Sequence, residues 1–319
     1  MFQYIIRRLA ITILLIFIIA TITFSILHLM PGDPVQILLA TGETSSNINP
    51  EAVQALRRSL GLDKPILVQY FVWWKNLLML DLGNSLYDKT PVVENIFNRL
   101  PRTLELIISA VVIGVCIGLP IGIIGAINRN RWPDQLVSIF AGLGISSPVY
   151  VVGTLLVLIF GLYIPWFPAS GYKLFSESPW QHIRQLTLPA ITIGINQSAL
   201  VARMTRSSML EVMSKDYIRT ARAKGLGERL VIYRHALKNA MIPIVTVIGL
   251  SGGSLLGGTV LVEFVFNWPG LSTLLMEGIY HRDYPIVQGV LLVTSALFIL
   301  LNLAVDLTYG LLDPSIRFE

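Results

Sequence analysis

Six stretches of about 20 or more mainly apolar residues recur along the 319-residue chain, near 9–30, 104–127, 135–162, 187–207, 241–262 and 286–308. As a helix, each is long enough to cross a hydrocarbon core about 30 Å thick. Inside lipid every backbone N–H and C=O must be satisfied within the segment, which a helix does by itself. The pattern therefore predicts an all-α integral membrane protein with six transmembrane helices. Charged residues make up only 13% of the chain, against about 25% in soluble domains. Arg7 and Arg8 before the first run imitate a secretory leader, but Leu9 to Met30 is longer than a leader's apolar core of roughly 7–15 residues. It also ends in MPGDP (Met30 to Pro34), not in a small-residue cleavage site, so it is expected to stay as the first span.

Lysine and arginine positions predict the orientation. With the N-terminus inside, both termini are cytoplasmic and the cytoplasmic side collects 14 of the 24 Lys and Arg, nine of them between Arg203 and Lys238. Seven of the other ten lie in the long segment 31–103, where charge weighs little because long loops translocate largely regardless of it. The net charge of +5 is thus a topology signal, and nucleic acid is not an expected partner.

The linear organisation reads as an N-terminal span (1–30), an external segment (31–103), a five-helix core (104–308) with a cytoplasmic loop (209–241), and a tail (309–319). Within the external segment, PEAVQALRRSLGL (Pro50 to Leu62) has Asn49 as an N-cap and apolar residues at helical spacing, which predicts an amphipathic helix. VQYFVWWKNLLML (Val68 to Leu80) is too short to cross and is rich in aromatics, as helices at a lipid–water boundary are. Turn-rich DLGNS and DKTP follow. A further short helix is expected over Asn267 to Asp283, capped by Asn267 with Pro269 near its start.

Small residues mark the helix contacts. Gly114, Gly118 and Gly122 sit four apart, as do Gly249, Gly253 and Gly257, a spacing that lets backbones approach closely and that can also form a sliding face. The run from Gly249 to Gly258 loosens its helix, so Gly249, Gly253 and Gly257 are candidates for lining a translocation path. Asn196 and Gln197 are polar candidates for the same path, with an interhelical hydrogen-bond role as the alternative.

Missing features narrow the chemistry. Glu105, Arg203, Glu263 and Asp306 are all expected near helix ends, which argues against a proton relay or ion-coupled carrier. No glycine is followed by lysine, so there is no phosphate-binding loop and any ATPase is another chain. Cys116 is the sole cysteine, and His28, His182, His235 and His281 are dispersed; no catalytic residue, metal site or bound cofactor is expected.

The most informative stretch is the basic one from Met209 to Pro243. It reads as two helical pieces, Asp216 to Lys224 and Glu228 to Ala240, parted by Gly225-Leu226-Gly227. Gly225 suits a left-handed helix stop, with Arg222 and Lys224 complementing the dipole in the last turn. DYIRTARAKGL (Asp216 to Leu226) followed by RHALKNAMIP (Arg234 to Pro243) resembles the cytoplasmic loop of binding-protein-dependent ABC permeases, in the branch importing dipeptides, oligopeptides or nickel. MPGDP, LGLDKP (Leu60 to Pro65), DLGNS, WFPASGY (Trp166 to Tyr172), EFVFNWPGLSTLL (Glu263 to Leu275) and DLTYGLLDPSIR (Asp306 to Arg317) are similar to segments of that branch. Against the generic loop pattern the chain keeps the glycine and one alanine; Arg219, Thr220 and Ala221 stand at its first three positions, and Lys238 and Asn239 at its later Leu-Pro.

The resemblance implies a type I ABC importer permease fold, and a coupling helix seated in a cleft of an ATPase subunit. The residues it points to are Asp216, Tyr217, Arg219, Thr220, Ala221, Arg222, Ala223, Lys224 and Gly225. It also implies a second homologous permease, two ATP-binding subunits that carry ATP and Mg, an external substrate-binding protein, and a bacterial or archaeal inner membrane. The outer loops, including WFPASGY and Asn267 to Asp283, would dock the binding protein. A nickel or other small-solute importer, a stand-alone channel or ion-coupled carrier, and a membrane anchor whose loop binds anionic lipid are the competing readings. Against the anchor, apolar or small residues in the loop, Ile218, Ala221 and Ala223, favour a protein cleft.

Overall fold

The computed structural model describes residues 2–29, 54, 57, 58 and 63–312. Regular structure among them is helical: α1 (Phe2–Leu29), α2 (Ile66–Leu78), α3 (Val92–Ile127), α4 (Trp132–Ser146), α5 (Val149–Leu156), α6 (Pro179–Met213), α7 (Asp216–Ala223), α8 (Glu228–Leu230), α9 (Lys238–Gly258), α10 (Val260–Val265), α11 (Leu271–Tyr280) and α12 (Tyr284–Leu312). Wider π-helical turns over Val157–Tyr163 continue α5, and similar turns over Val231–Leu237 join α8 to α9. MPGDP and most of the helix expected over Pro50 to Leu62 lie outside the described residues, as does the end of the tail.

Two compact units are present. One comprises residues 1–13, 100–273 and 296–319, the other 14–99 and 274–295. This grouping follows contacts, not the linear order read from the apolar runs. In the second unit α2 lies against α1: Phe17 stacks on Trp74, Phe24 meets Tyr70 and Trp73, and the Thr21 and Tyr70 hydroxyls hydrogen-bond at 2.8 Å. Of the four aromatic residues expected at a lipid boundary, Tyr70, Trp73 and Trp74 also pack on α1, while Phe71 is exposed. The turn over residues 80–91 is tied to the stretch before α12, because buried Asp283 accepts from Ser85 Oγ at 2.5 Å and from the Tyr87 N–H.

The first unit is built around α6, which packs on α4, α5, α9 and α10. Along one side the glycines of α3 lie directly on it. An added Cβ at Gly114 would fall 2.6 Å from Gln197 Cβ, at Gly118 2.5 Å from the Ser198 carbonyl, and at Gly122 2.6 Å from the Ala202 carbonyl. The second glycine series meets α12 instead, Gly249 against Val305 and Gly253 against Phe298, while Gly257 faces open space. Among the described residues, four helices are long and apolar enough to cross a membrane, or five if a bent pair is one span. Helix α6 is not among them, although 187–207 reads as a span. Its surroundings explain this: protein covers much of α6, so its residues need not be lipid-soluble.

The bent pair departs from the single span expected over 135–162. Helices α4 and α5 meet at Ser147-Pro148 with a bend of 100°. Proline forces the residue before it out of the helical region, and Ser147 is extended at ψ 126. Pro148 also cannot donate to the Gly144 carbonyl four residues back; Asn196 Nδ2 donates there instead at 2.9 Å.

Helix α3 begins at Val92, so Glu105 lies well inside it and not near its end. Glu105 reaches the buried His182 ring at 2.6 Å. Glu263 is fully buried, accepting from Thr103 Oγ1 at 2.8 Å and from the Thr273 N–H at 3.0 Å. Together with Thr103, which accepts from the Leu271 N–H at 2.8 Å, it caps α11. Asn267 is not that cap: it sits at φ 49, four residues before the helix starts.

The contact of α3 with α6 is testable. Gly118→Val forces a branched side chain onto a carbonyl and should cost about 1–3 kcal/mol, as overpacking does, visible as a lower thermal midpoint of the detergent-purified chain. Gly257→Ala, with space around it, should leave that midpoint unchanged or slightly higher. Equal midpoints for Gly118→Val and the wild type would refute the close approach.

Candidate functional site

The sequence-marked loop folds as α7, a glycine turn and the helix that returns to α9. Helix α7 has an inner and an outer face. Ile218 is fully buried and Ala221 is 8% exposed, and both join a core with Met209 and Val201 of α6, Ile123 and Ala126 of α3, Val231, Ile232 and Ala236 of the π-helical turn, and Ala240 and Ile244 of α9. These two apolar positions therefore serve the chain's own core. They do not mark the outer contact for which the sequence reading offered them. Asp216, Tyr217, Arg219, Thr220, Arg222, Ala223, Lys224 and Gly225 are exposed.

Helix α7 stops as its sequence predicts. Gly225 takes φ 79, its N–H bonds the Arg222 carbonyl at 2.9 Å and the Leu226 N–H bonds the Ala221 carbonyl at 3.4 Å, the paired bonds of a Schellman stop. Leu226 closes the turn by packing on the same core. Arg222 then bridges the turn to Glu228 through contacts of 2.6 and 3.2 Å. Hydrogen bonding to that carboxylate raises the arginine's pKa further, so the guanidinium stays charged. Tyr217 accepts from Asn239 Nδ2 at 3.1 Å. The pair across the turn joins residues six apart, a spacing outside the helical i, i+4 rule, and for that reason it is not visible as a motif.

The loop's base is equally tied. Ser208 Oγ donates to the Ala240 carbonyl at 3.0 Å, joining α6 to α9. Arg206 Nη2 donates to Asp134 Oδ2 at 2.9 Å, and a second Arg206 contact through Nε makes the grip on α4 bidentate. Helix α7 is thus joined to α3, α6 and α9 by packed side chains. Sequence reading missed Arg206 and Asp134 because each looks like one more cytoplasmic charge.

The five path candidates are not gathered into one lining. Asn196 fills the carbonyl at the α4–α5 bend and Gln197 is buried beneath Gly114. Gly249 and Gly253 are helix contacts, which leaves Gly257 in open space. For Asn196 the interhelical hydrogen bond is what the geometry provides.

Comparison with known proteins covers the whole chain. Residues 118–318 match the family model described as binding-protein-dependent transport system inner membrane component, and residues 1–107 match the model for the N-terminal part of such components. The dipeptide transport system permease protein of Alkalihalophilus pseudofirmus is 41% identical over 338 aligned positions, covering all of both chains. The glutathione transport system permease protein of Escherichia coli strain K12 is 42% identical over 319, again covering both completely. Among solved structures, an inward-facing methionine ABC transporter superposes with TM-score 0.57 at 18% identity, covering 69% of this chain and 96% of that one, a likeness of fold. The chain belongs to the binding-protein-dependent transport system inner membrane components: it is a permease subunit of an ABC importer of the dipeptide, oligopeptide and nickel branch, a translocation component and not itself an enzyme.

Proposed function

We propose that this chain moves di- or oligopeptides across a bacterial or archaeal cytoplasmic membrane, through six crossings with both termini in the cytoplasm. It works beside a second, homologous permease, above two ATPase subunits that carry ATP and Mg, and below an external binding protein that delivers the solute. The observation that carries the reading is the two-faced α7. Ile218 and Ala221 fasten it to the ends of α3, α6 and α9, while its polar face stays uncovered. A helix fixed on one side and open on the other is suited to take up the motion of a second protein. The names of the dipeptide and glutathione permeases favour peptides as the solute over nickel.

The mechanism follows from stiffness. ATP binding draws the two ATPase subunits together, each carrying a seated α7 with it. The shared core moves the loop ends of the spans, and their packing switches between two arrangements that open the path to one side or the other. This chain binds no nucleotide and contributes the lever and the path.

Gentle purification of the tagged chain from its native membrane should bring down an ATPase and a second permease, identified by mass spectrometry. Gly225→Asp is the test of the lever. An added Cβ there meets nothing within 4 Å, so the spans should fold; the strained left-handed backbone and new charge should lower transport by tenfold or more, while each unit of the complex remains intact. Normal uptake by that variant would refute the coupling role of α7. A chain that arrives alone and moves solute in liposomes would make it a self-sufficient carrier.

A further inference from the structure

We propose that a groove between α4 and α6 is an anion subsite of the path, where Arg203 receives the C-terminal carboxylate of a passing peptide. The inference rests on the importer reading and names a solute contact within it. The groove has a volume of about 300 Å³ and is lined by Ser138, Gly142 and Ser146 of α4 and by Arg203 and Arg206 of α6, with apolar residues between. That is the size of a small-molecule pocket, roughly 300–1,000 Å³.

Its polar groups do not balance. Arg206 is spent on Asp134, whose carboxylate also accepts from the Asn130 N–H at 2.9 Å. Arg203, three residues earlier on the same helix, makes no hydrogen bond or ion pair among the described residues, and neither does the Ser146 hydroxyl. Ser138 already donates to the Asp134 carbonyl at 2.9 Å. The groove is therefore left with uncommitted donors and a positive charge and no free carboxylate, which suits an anion with two acceptor oxygens.

The importer reading favours a solute over a lipid phosphate at this groove. Helix α6 runs to Met213, which puts Arg203 about 15 Å before its end at 1.5 Å per residue. On α4, Ser146 ends the helix that starts at Trp132, about 21 Å along by the same rise. The groove thus leads inward from the loop ends as far as the bend at Ser147-Pro148. An ionisable residue on a spanning helix is expected to face a water-filled cavity or a partner; Arg203 is exposed on the groove side and has no partner among the described residues. A peptide carries its terminal carboxylate whatever its side chains, so one guanidinium gives hold without sequence choice, and a single contact is weak enough to release.

The test uses the chain assembled with its partner subunits in phosphatidylcholine liposomes, carrying Gly142→Cys in a Cys116→Ala background. An added Cβ at Gly142 meets nothing within 4 Å. Two thiol reagents, sulfonatoethyl and trimethylammonioethyl methanethiosulfonate, differ in the sign of their charge. The anionic one should react about tenfold faster, as a focused positive field allows. Arg203→Gln should abolish the preference and Arg203→Lys retain it; millimolar trialanine should slow the labelling, and its C-terminal amide should not. An assembled complex that shows no charge preference, no labelling, or equal protection by both peptides overturns this inference alone. Protection that appears only with added phosphatidylglycerol makes the groove a lipid site and overturns it as well. A chain that recruits no ATPase overturns the importer reading itself.

Discussion

The close approach of α3 to α6 is the contact on which the first unit depends. A helix that carries Asn196, Gln197, Arg203 and Arg206 is poorly suited to lipid, and α6 exists at that depth because other helices take lipid's place around it. Gly114, Gly118 and Gly122 make this possible on one side by letting backbone meet backbone. Such packing replaces the hydrophobic drive that is missing between helices already in an apolar solvent. The polar side chains of α6 then become affordable in two ways: some are consumed within the protein, as Asn196 and Arg206 are, and one is left facing a groove.

What was legible in the sequence is what local physics fixes. Gly225 was readable as a helix stop because only a left-handed residue ends a helix that way, and it takes φ 79. The glycine series were readable as contact faces because their period is that of a helix. The bend at Ser147-Pro148 was not read, since the apolar run continues unbroken through it and hydropathy outweighed the proline. Helix ends were misjudged for a related reason: α3 and α6 extend past their apolar stretches, so Glu105 and Arg203 lie deeper in their helices than composition suggests.

The remaining misses are long-range. Glu263 reads as an acid near the end of a span, and nothing in its neighbourhood shows that Thr103, 160 residues earlier, and the backbone of Thr273 enclose it. A buried carboxylate of this kind is tolerable only when its oxygens are met by donors, and those donors belong to two other helices, α3 and α11. The adjoining Gly270 follows from the same contact, because a Cβ there would fall 2.3 Å from the carboxylate. Likewise Ile218 and Ala221 show by their chemistry that they will be buried, but a short amphipathic helix can turn its apolar side toward its own chain or toward a partner, and one sequence does not choose.

That choice has a mechanical consequence. With Ile218 and Ala221 turned inward, α7 shares one core with the loop ends of α3, α6 and α9, and the bidentate Arg206–Asp134 grip adds α4 to that body. A displacement of α7 then cannot be absorbed between α4 and α6 without breaking a charged pair. The seam with more freedom is the one between α9 and α12: it is tight where Gly249 meets Val305, looser where Gly253 meets Phe298, and open at Gly257. A helix contact that loosens along its length can pivot about its tight end, and the tight end here is the one nearer the loop.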